Sequence, residues 1–351
     1  MSESGREQVG AQGAPGKKPT QWQRIYQGAR VLALLWVFKV LGVAGLYGIT
    51  RVIDVETETI DDSTRSVVAT TNGGAFAKLR DGYTYYELAG PDTAPLVVLA
   101  AGSSVPGYIW KPTFDSLRAA GYRVLRYDYF GRGWSDRPKI PLTQEVYVHQ
   151  LTQLLDAVGA TAPVTLAGLS YGGTVITSFA AVHPNRVGAL IYVAPAIRTP
   201  REVPWYLKFD LIGDLVYQYQ ARGWAEGQLT DFLEPSRFPD WAARYRVQME
   251  YKGFRRGRLS DLKANAETDL RPVLAEVGKH ARPVLVIWGR QDPTVPFARS
   301  ESVLAALPAA KFVPVDSAGH LPQWERPAVT HAALFAFLRE LPTRNGAHRA
   351  E

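Results

Sequence analysis

Three residues in this chain stand where nucleophilic catalysis would need them. Ser170 lies in Gly168-Leu169-Ser170-Tyr171-Gly172-Gly173, a G-x-S-x-G pattern between a strand-like run ending at Ala167 and a helical run starting at Tyr171. A strand that enters a helix with almost no loop forces the serine into a strained conformation. It also leaves no room for side chains at Gly168, Gly172 and Gly173. The hydroxyl is then exposed at the tip, and the first N–H groups of the helix point at any oxygen that approaches it. A hydroxyl attacks only when a base removes its proton. Of the six histidines, His348 lies in a tail, His331 in the last helical run and His280 in a polar approach to a strand. His149 and His183 fall on helices or their ends. Only His320 follows a strand directly, after 312–315 and the turn Asp316-Ser317-Ala318-Gly319. The base needs an orienting carboxylate, and Asp292 supplies one in Gly289-Arg290-Gln291-Asp292-Pro293, just after the run 284–288. Asp316, four residues before His320, reads as a turn former. The plainer reading of the same residues is a helix-capping serine and a surface histidine.

Positioning these groups requires a scaffold of alternating strands and helices. Short alternating strands at 75–79 and 83–88 flank Asp81-Gly82, which predicts an antiparallel hairpin. The run 96–101, LVVLAA, is apolar throughout, as expected of a strand buried on both faces. Similar runs lie at 123–127, 164–167, 190–193, 284–288 and 312–315, separated by helical stretches at 111–120, 144–158, 171–181, 299–307 and 328–341. The expectation is an α/β fold: a mostly parallel eight-stranded sheet with helices on both faces and chemistry at the carboxyl ends of the strands. After the sixth strand, about eighty residues carry no clear strand. They carry many aromatics, with Trp205, Phe209, Ile212 and Val216 at helical spacing, which predicts amphipathic helices inserted as a lid. Most of these aromatics are expected to pack between lid and core. The basic cluster Lys252, Arg255, Arg256 and Arg258 reads as a solvated face, with a site for an anionic substrate as the alternative.

Four segments together resemble the α/β-hydrolase superfamily over residues 75 to 340. They are the Ser170 turn; Asp128-Tyr129-Phe130-Gly131-Arg132-Gly133-Trp134-Ser135-Asp136, similar to the family's D-x-x-G-x-G-x-S turn; the Asp292 loop with Pro296, similar to G-x-x-D-x-x-P; and Gly319-His320-Leu321-Pro322-Gln323-Trp324-Glu325-Arg326-Pro327, similar to G-H-x-P-x-x-E-x-P. The chain order Ser170, Asp292, His320 is the one that the family uses. The resemblance implies a serine hydrolase, esterase-like or monoacylglycerol-lipase-like, working through an acyl-enzyme without metal or cofactor. By analogy the backbone N–H groups of Ser103 and Tyr171 form the oxyanion hole. One departure is Ala101-Gly102-Ser103-Ser104, where the family usually has His-Gly, so a loop-bracing side chain is missing. In this superfamily dehalogenases and epoxide hydrolases use an aspartate nucleophile, which Ser170 argues against. The resemblance leaves ester hydrolysis first, hydrolytic carbon–carbon cleavage of ring-fission products second and an N-terminal proline peptidase third. A binding protein that keeps the fold without turnover stands beside them. Glu325 is expected in the first turn of the final helix, favourable to its dipole.

Composition narrows the remaining classes. Cysteine is absent, which excludes disulfides, cysteine nucleophiles and thiolate metal sites. At 46% apolar and 21% charged the chain is globular, and its formal charge of +7 decides nothing alone. There is no nucleotide-binding fingerprint, P-loop or nucleic-acid module, so no such partner is expected; the resemblance implies a small-molecule or lipid ester as substrate. Residues 1–30 read as a disordered basic tail, and 31–50, VLALLWVFKVLGVAGLYGIT, as a hydrophobic helix and membrane anchor. Twenty helical residues span about 30 Å, and Lys39 within them costs roughly 2.5–3.5 kcal/mol on insertion scales. An interfacial helix that lets Lys39 snorkel, a signal peptide with the poor cleavage site Gly42-Val43-Ala44, and a soluble packed helix are the rival readings. The Lys/Arg bias places the N-terminus inside and the catalytic domain outside the membrane, against the alternative of a cytoplasmic, peripheral protein. The organisation is completed by a linker at 51–74, core at 75–196, lid at 197–278, core again at 279–341 and a tail at 342–351.

Overall fold

The computed structural model describes residues 20–52 and 56–342. It divides into two units, Met1–Ile53 and Asp54–Glu351. In the first, one helix, α1, runs over Gln21–Val52, so it starts ten residues before the apolar stretch. Residues 21–30 are therefore helical, because no proline or glycine pair interrupts 21–27 and nothing there competes with the helix. Tyr26, Leu32, Leu35, Trp36, Phe38 and Leu41 are exposed along it. The stretch Gln21–Gly48 is long and apolar enough to cross a membrane.

The second unit holds an eight-stranded sheet in the order β1-β2-β4-β3-β5-β6-β7-β8. The strands are β1 Ala75–Leu79, β2 Gly82–Ala89, β3 Leu96–Ala100, β4 Arg123–Tyr127, β5 Val164–Leu169, β6 Val187–Val193, β7 Val284–Gly289 and β8 Lys311–Val315. β2 is antiparallel to β1 and β4, and every other pairing is parallel. β3, β5 and β7 are buried at every residue, so both of their faces are covered. Two groups of helices do this: α3 (Lys111–Ala119) with α14 (Pro327–Glu340), and α4 (Gln144–Ala157), α5 (Tyr171–Val182), α11 (Arg271–Gly278) and α12 (Ser300–Ala306). The strand order reverses at β3, whose neighbours are β4 and β5. Loops leaving β3 and β5 at their carboxyl ends are thus brought side by side, which is where such sheets hold ligands.

Between β6 and β7 the chain forms α6 (Trp205–Lys208), α7 (Asp210–Ala221), α8 (Trp224–Gly227), α9 (Trp241–Met249) and α10 (Phe254–Ala264) before α11. α11 packs on α5 and α12, so it belongs to the sheet's cover and the inserted helices end sooner than residue 278. The row Trp205, Phe209, Ile212 is not a buried face. Phe209 has an extended backbone (φ −88°, ψ 121°) that breaks α6 from α7, and Trp205 is 69% exposed. Residues 56–74 are more than a connection: α2 (Asp62–Asn72) forms there, N-capped by the Asp61 carboxylate accepting from Thr64 N–H at 2.8 Å. Ahead of it, the Glu56 carboxylate accepts from Gly253 N–H (2.8 Å) and Arg255 N–H (2.7 Å), capping α10.

Candidate active site

Ser170 has φ 53° and ψ −119°, a conformation that non-glycine residues rarely adopt. The backbone around it holds the strain. Ser170 N–H donates to the Val193 carbonyl, and its own carbonyl accepts from Gly173 and Ala196 N–H, each at 2.9 Å. The glycines are needed for close approach. A Cβ at Gly168 would lie 2.5 Å from the Gly172 carbonyl carbon, one at Gly173 2.6 Å from Pro195 Cβ, and one at Gly172 inside the Ala100 carbonyl. The serine is half-buried, and Tyr171, the first residue of α5, is buried.

The loop 101–104 leaves β3 beside this turn; a Cβ at Gly102 would sit 3.7 Å from that of Ser170. Ala101 has no polar side chain to brace the loop, yet the loop is braced from other directions. Tyr129 O–H donates to the Ala101 carbonyl at 3.0 Å. The Ser103 carbonyl accepts from Arg132 Nε and from Arg258 Nη1. Gln248 Nε2 donates to the Ser104 carbonyl at 3.1 Å, and Ser104 O–H donates to Gln228 Oε1 at 2.7 Å. Arg132 reaches this loop from the glycine-rich turn after β4. There Asp128, raised to about 6 chiefly by burial, accepts from Gly107 N–H (2.7 Å) and Trp134 N–H (2.8 Å) and so fixes the turn's path. Arg132 is 1% exposed and pairs with Asp261 at 3.1 Å. Arg198 pairs with the same carboxylate at 3.3 Å, and Tyr171 O–H donates to it at 3.1 Å.

His320 and Asp292 meet in the loops that follow β8 and β7. His320 Nδ1 lies 2.8 Å from Asp292 Oδ2, and both side chains are buried. Asp292 Oδ1 accepts from Thr294 and Val295 N–H at 2.8 Å, which fixes the carboxylate. An ionised carboxylate only accepts, so it sets the imidazole proton on Nδ1 and leaves Nε2 as the basic nitrogen. The rival Asp316 is 83% exposed and pairs with Arg290 at 2.8 Å. Burial pulls the His320 pKa down, but the hydrogen bond and charge of Asp292, with the charges of Asp231 and Glu325, raise it above the usual 6.5.

Asp231 and Glu325 tie the histidine loop to the inserted segment. His320 N–H donates to the Asp231 carbonyl at 2.8 Å, and the Asp231 carboxylate accepts from Thr294 O–H at 2.6 Å. Glu325 is not in the first turn of the last helix as the pattern suggests. Pro322 and Pro327 separate a short helix, α13 (Pro322–Glu325), from α14. From the end of α13 the Glu325 carboxylate accepts from Gly319 N–H and Leu233 N–H, both at 2.7 Å.

The model of a protein family described as the alpha/beta hydrolase fold matches residues 95–327. The chain belongs to the alpha/beta hydrolase fold family. This hydrolase is 28% identical over 311 residues to epoxide hydrolase A of Mycobacterium tuberculosis, covering 73% of this chain and 94% of the relative. It is 29% identical over 296 residues to a 2-hydroxy-6-oxononadienedioate/2-hydroxy-6-oxononatrienedioate hydrolase of Cupriavidus pinatubonensis, covering 78% and 98% of the two chains. Among solved structures, the enol-lactonase of Burkholderia xenovorans LB400 superposes with a TM-score of 0.63 at 26% identity, over 76% of this chain and all of that one (100%).

Sequence reasoning alone misses Asp231 and the bracing role of Arg132. It also misreads the basic cluster of this hydrolase as a solvated face. Arg255 is buried and paired with Glu56, and Arg258 is half-buried against the loop 101–104; only Lys252 and Arg256 are exposed. The missed signal is the glycine pair Gly131 and Gly257. A Cβ at Gly257 would lie 2.9 Å from Gly131 Cα, so α10 packs directly on the turn that carries Arg132.

Proposed function

We propose that this α/β-hydrolase is a serine hydrolase that cleaves carboxylic esters with Ser170 as nucleophile, His320 as base and Asp292 as its orienting acid. The observation that carries this reading is the buried 2.8 Å contact between His320 Nδ1 and Asp292 on the loops after β8 and β7, at the carboxyl ends of the parallel strands, where Ser170 also occupies its strained turn after β5. His320 Nε2 takes the proton of Ser170 O–H as Oγ attacks the acyl carbonyl. The oxyanion is held by the N–H groups of Ser103 and Tyr171, and the leaving alcohol receives the proton from His320. Water, activated by the same imidazole, then releases the acid. No metal or cofactor is required. The helix α1 is read as a single membrane anchor with the catalytic domain extracytoplasmic, which admits lipid or monoacylglycerol esters as substrates.

Hydrolytic carbon–carbon cleavage is the second reading, favoured by the 29% identity to the dioate hydrolase. The likeness to an epoxide hydrolase is weighed against Ser170, since that chemistry in this superfamily uses aspartate. A fold retained for binding alone is the remaining alternative. The test is full-length protein assayed on nitrophenyl esters of graded chain length and on dienoic ring-fission substrates, beside Ser170→Ala. Ester turnover lost in the variant supports the first reading, turnover of the dienoic substrates only supports the second, and equal inertness of both proteins on all of them supports a binding protein.

A further inference from the structure

Arg258 reaches the loop that follows β3, and among the described residues no carboxylate pairs with it. It lies on α10, half-buried, with one guanidinium N–H spent on the Ser103 carbonyl and its Cζ 5.6 Å from the Trp224 ring centre. Trp224 is itself held edge-on by Tyr217 and Phe254, at 5.4 and 6.0 Å, so the guanidinium is pre-positioned. Bracing the loop does not need it, because Arg132 already donates to the same carbonyl. Among the described residues no carboxylate pairs with Arg258. Asp261, the acid of this region, is taken by Arg132 and Arg198. Arg201 adds a further cation: burial, then the charge of Arg198 and that of Arg258, lower its pKa. Several guanidiniums thus share one carboxylate beside the oxyanion loop. A half-buried cation without a counter-ion is a cost unless something else supplies the charge.

We propose that Arg258 is a specificity-determining residue that binds a carboxylate carried by the substrate, so that the preferred substrates are acyl compounds with a second, anionic end. This rests on the hydrolase reading above. A guanidinium with free N–H groups in a fixed fork is suited to a carboxylate, and a charge-assisted bond discriminates strongly against a neutral isostere.

The test compares two esters of equal acyl length, mono-4-nitrophenyl adipate and 4-nitrophenyl hexanoate, on full-length protein. The wild type is expected to favour the adipate in kcat/KM by about tenfold or more. Arg258→Gln lowers kcat/KM on the adipate far more than on the hexanoate and so removes that preference, Arg258→Lys keeps part of it, and Arg256→Gln, an exposed arginine on the same helix, leaves it unchanged. A wild type with no preference, a ratio unaltered by Arg258→Gln, or an equal loss on both esters (loop bracing alone) would each overturn the proposal. Binding is read separately by calorimetry on Ser170→Ala with monomethyl adipate against methyl hexanoate. There the anionic ester binds more tightly, and adding Arg258→Gln abolishes the difference. If neither nitrophenyl ester turns over but this difference persists, the hydrolase reading fails and the carboxylate site stands. If calorimetry shows no difference either, the site fails with it.

Discussion

The carboxylates of Asp292, Asp231 and Glu325 act on His320, while Arg132 and Arg258 both donate to the Ser103 carbonyl. In the proposed mechanism the three carboxylates stabilise the imidazolium that forms as the ester is attacked. Replacing Asp292 by Asn puts an amide against Nδ1 and selects the wrong tautomer, so kcat should fall by about 10⁴-fold with folding preserved, as followed by ester turnover and circular dichroism. The Asp231 carboxylate raises the His320 pKa, and in the proposed mechanism the unprotonated imidazole is the active form. The acid limb of kcat/KM should therefore lie above 6.5 in the wild type and move to lower pH in Asp231→Asn, read from a pH–rate profile. A shift to higher pH would contradict the assignment. The candidates Ser170, Asp292 and His320 were legible in the sequence because each follows an apolar run that had to be a strand. Asp231 was not, since no strand precedes it and its proximity to His320 arises only when the inserted segment folds back.

Elements and loops carry the same division between what could be read and what could not. Apolar runs located six of the strands to within a few residues and the alternation around Asp81-Gly82 located β1 and β2; β3, β5 and β7, covered on both faces, have no polar face to confuse the pattern. The inserted helices were harder, since Phe209 breaks the periodic row and turns Trp205 outward. The segment ahead of α2 was read as a linker because the capping of α10 by Glu56 links residues 197 positions apart. Glu325 joins the histidine loop to Leu233 through two backbone N–H bonds. Glutamine can accept only one of them, leaving a buried N–H facing an NH₂ group. Glu325→Gln should therefore cost about 1–3 kcal/mol in urea unfolding and lower kcat more than it raises KM. An unchanged unfolding midpoint would show that the two loops are not joined in this way.

The whole molecule pairs a hydrolase unit with α1, a helix whose apolar side chains are exposed along its length. If α1 anchors the protein, alkaline carbonate should leave it in the membrane pellet, and introducing Asp at Leu35 and Val43 should release it, as judged by immunoblot of both fractions. Recovery of the unaltered protein in the wash would remove the anchor. The mostly parallel eight-stranded fold followed from the strand–helix alternation, whereas the order of its strands and the start of α1 did not: residues 21–30 mix polar residues with Trp22, Ile25 and Tyr26 and show no continuous apolar run. The central claim is that Ser170 is a nucleophile activated by His320. Its most direct test is to expose the full-length protein to a fluorophosphonate and map the adduct by peptide mass spectrometry. One adduct on the peptide containing Ser170, absent in Ser170→Ala and strongly slowed in His320→Ala, is the predicted result. An unlabelled Ser170 in a protein that still hydrolyses esters, or labelling as fast in His320→Ala as in the wild type, would contradict it.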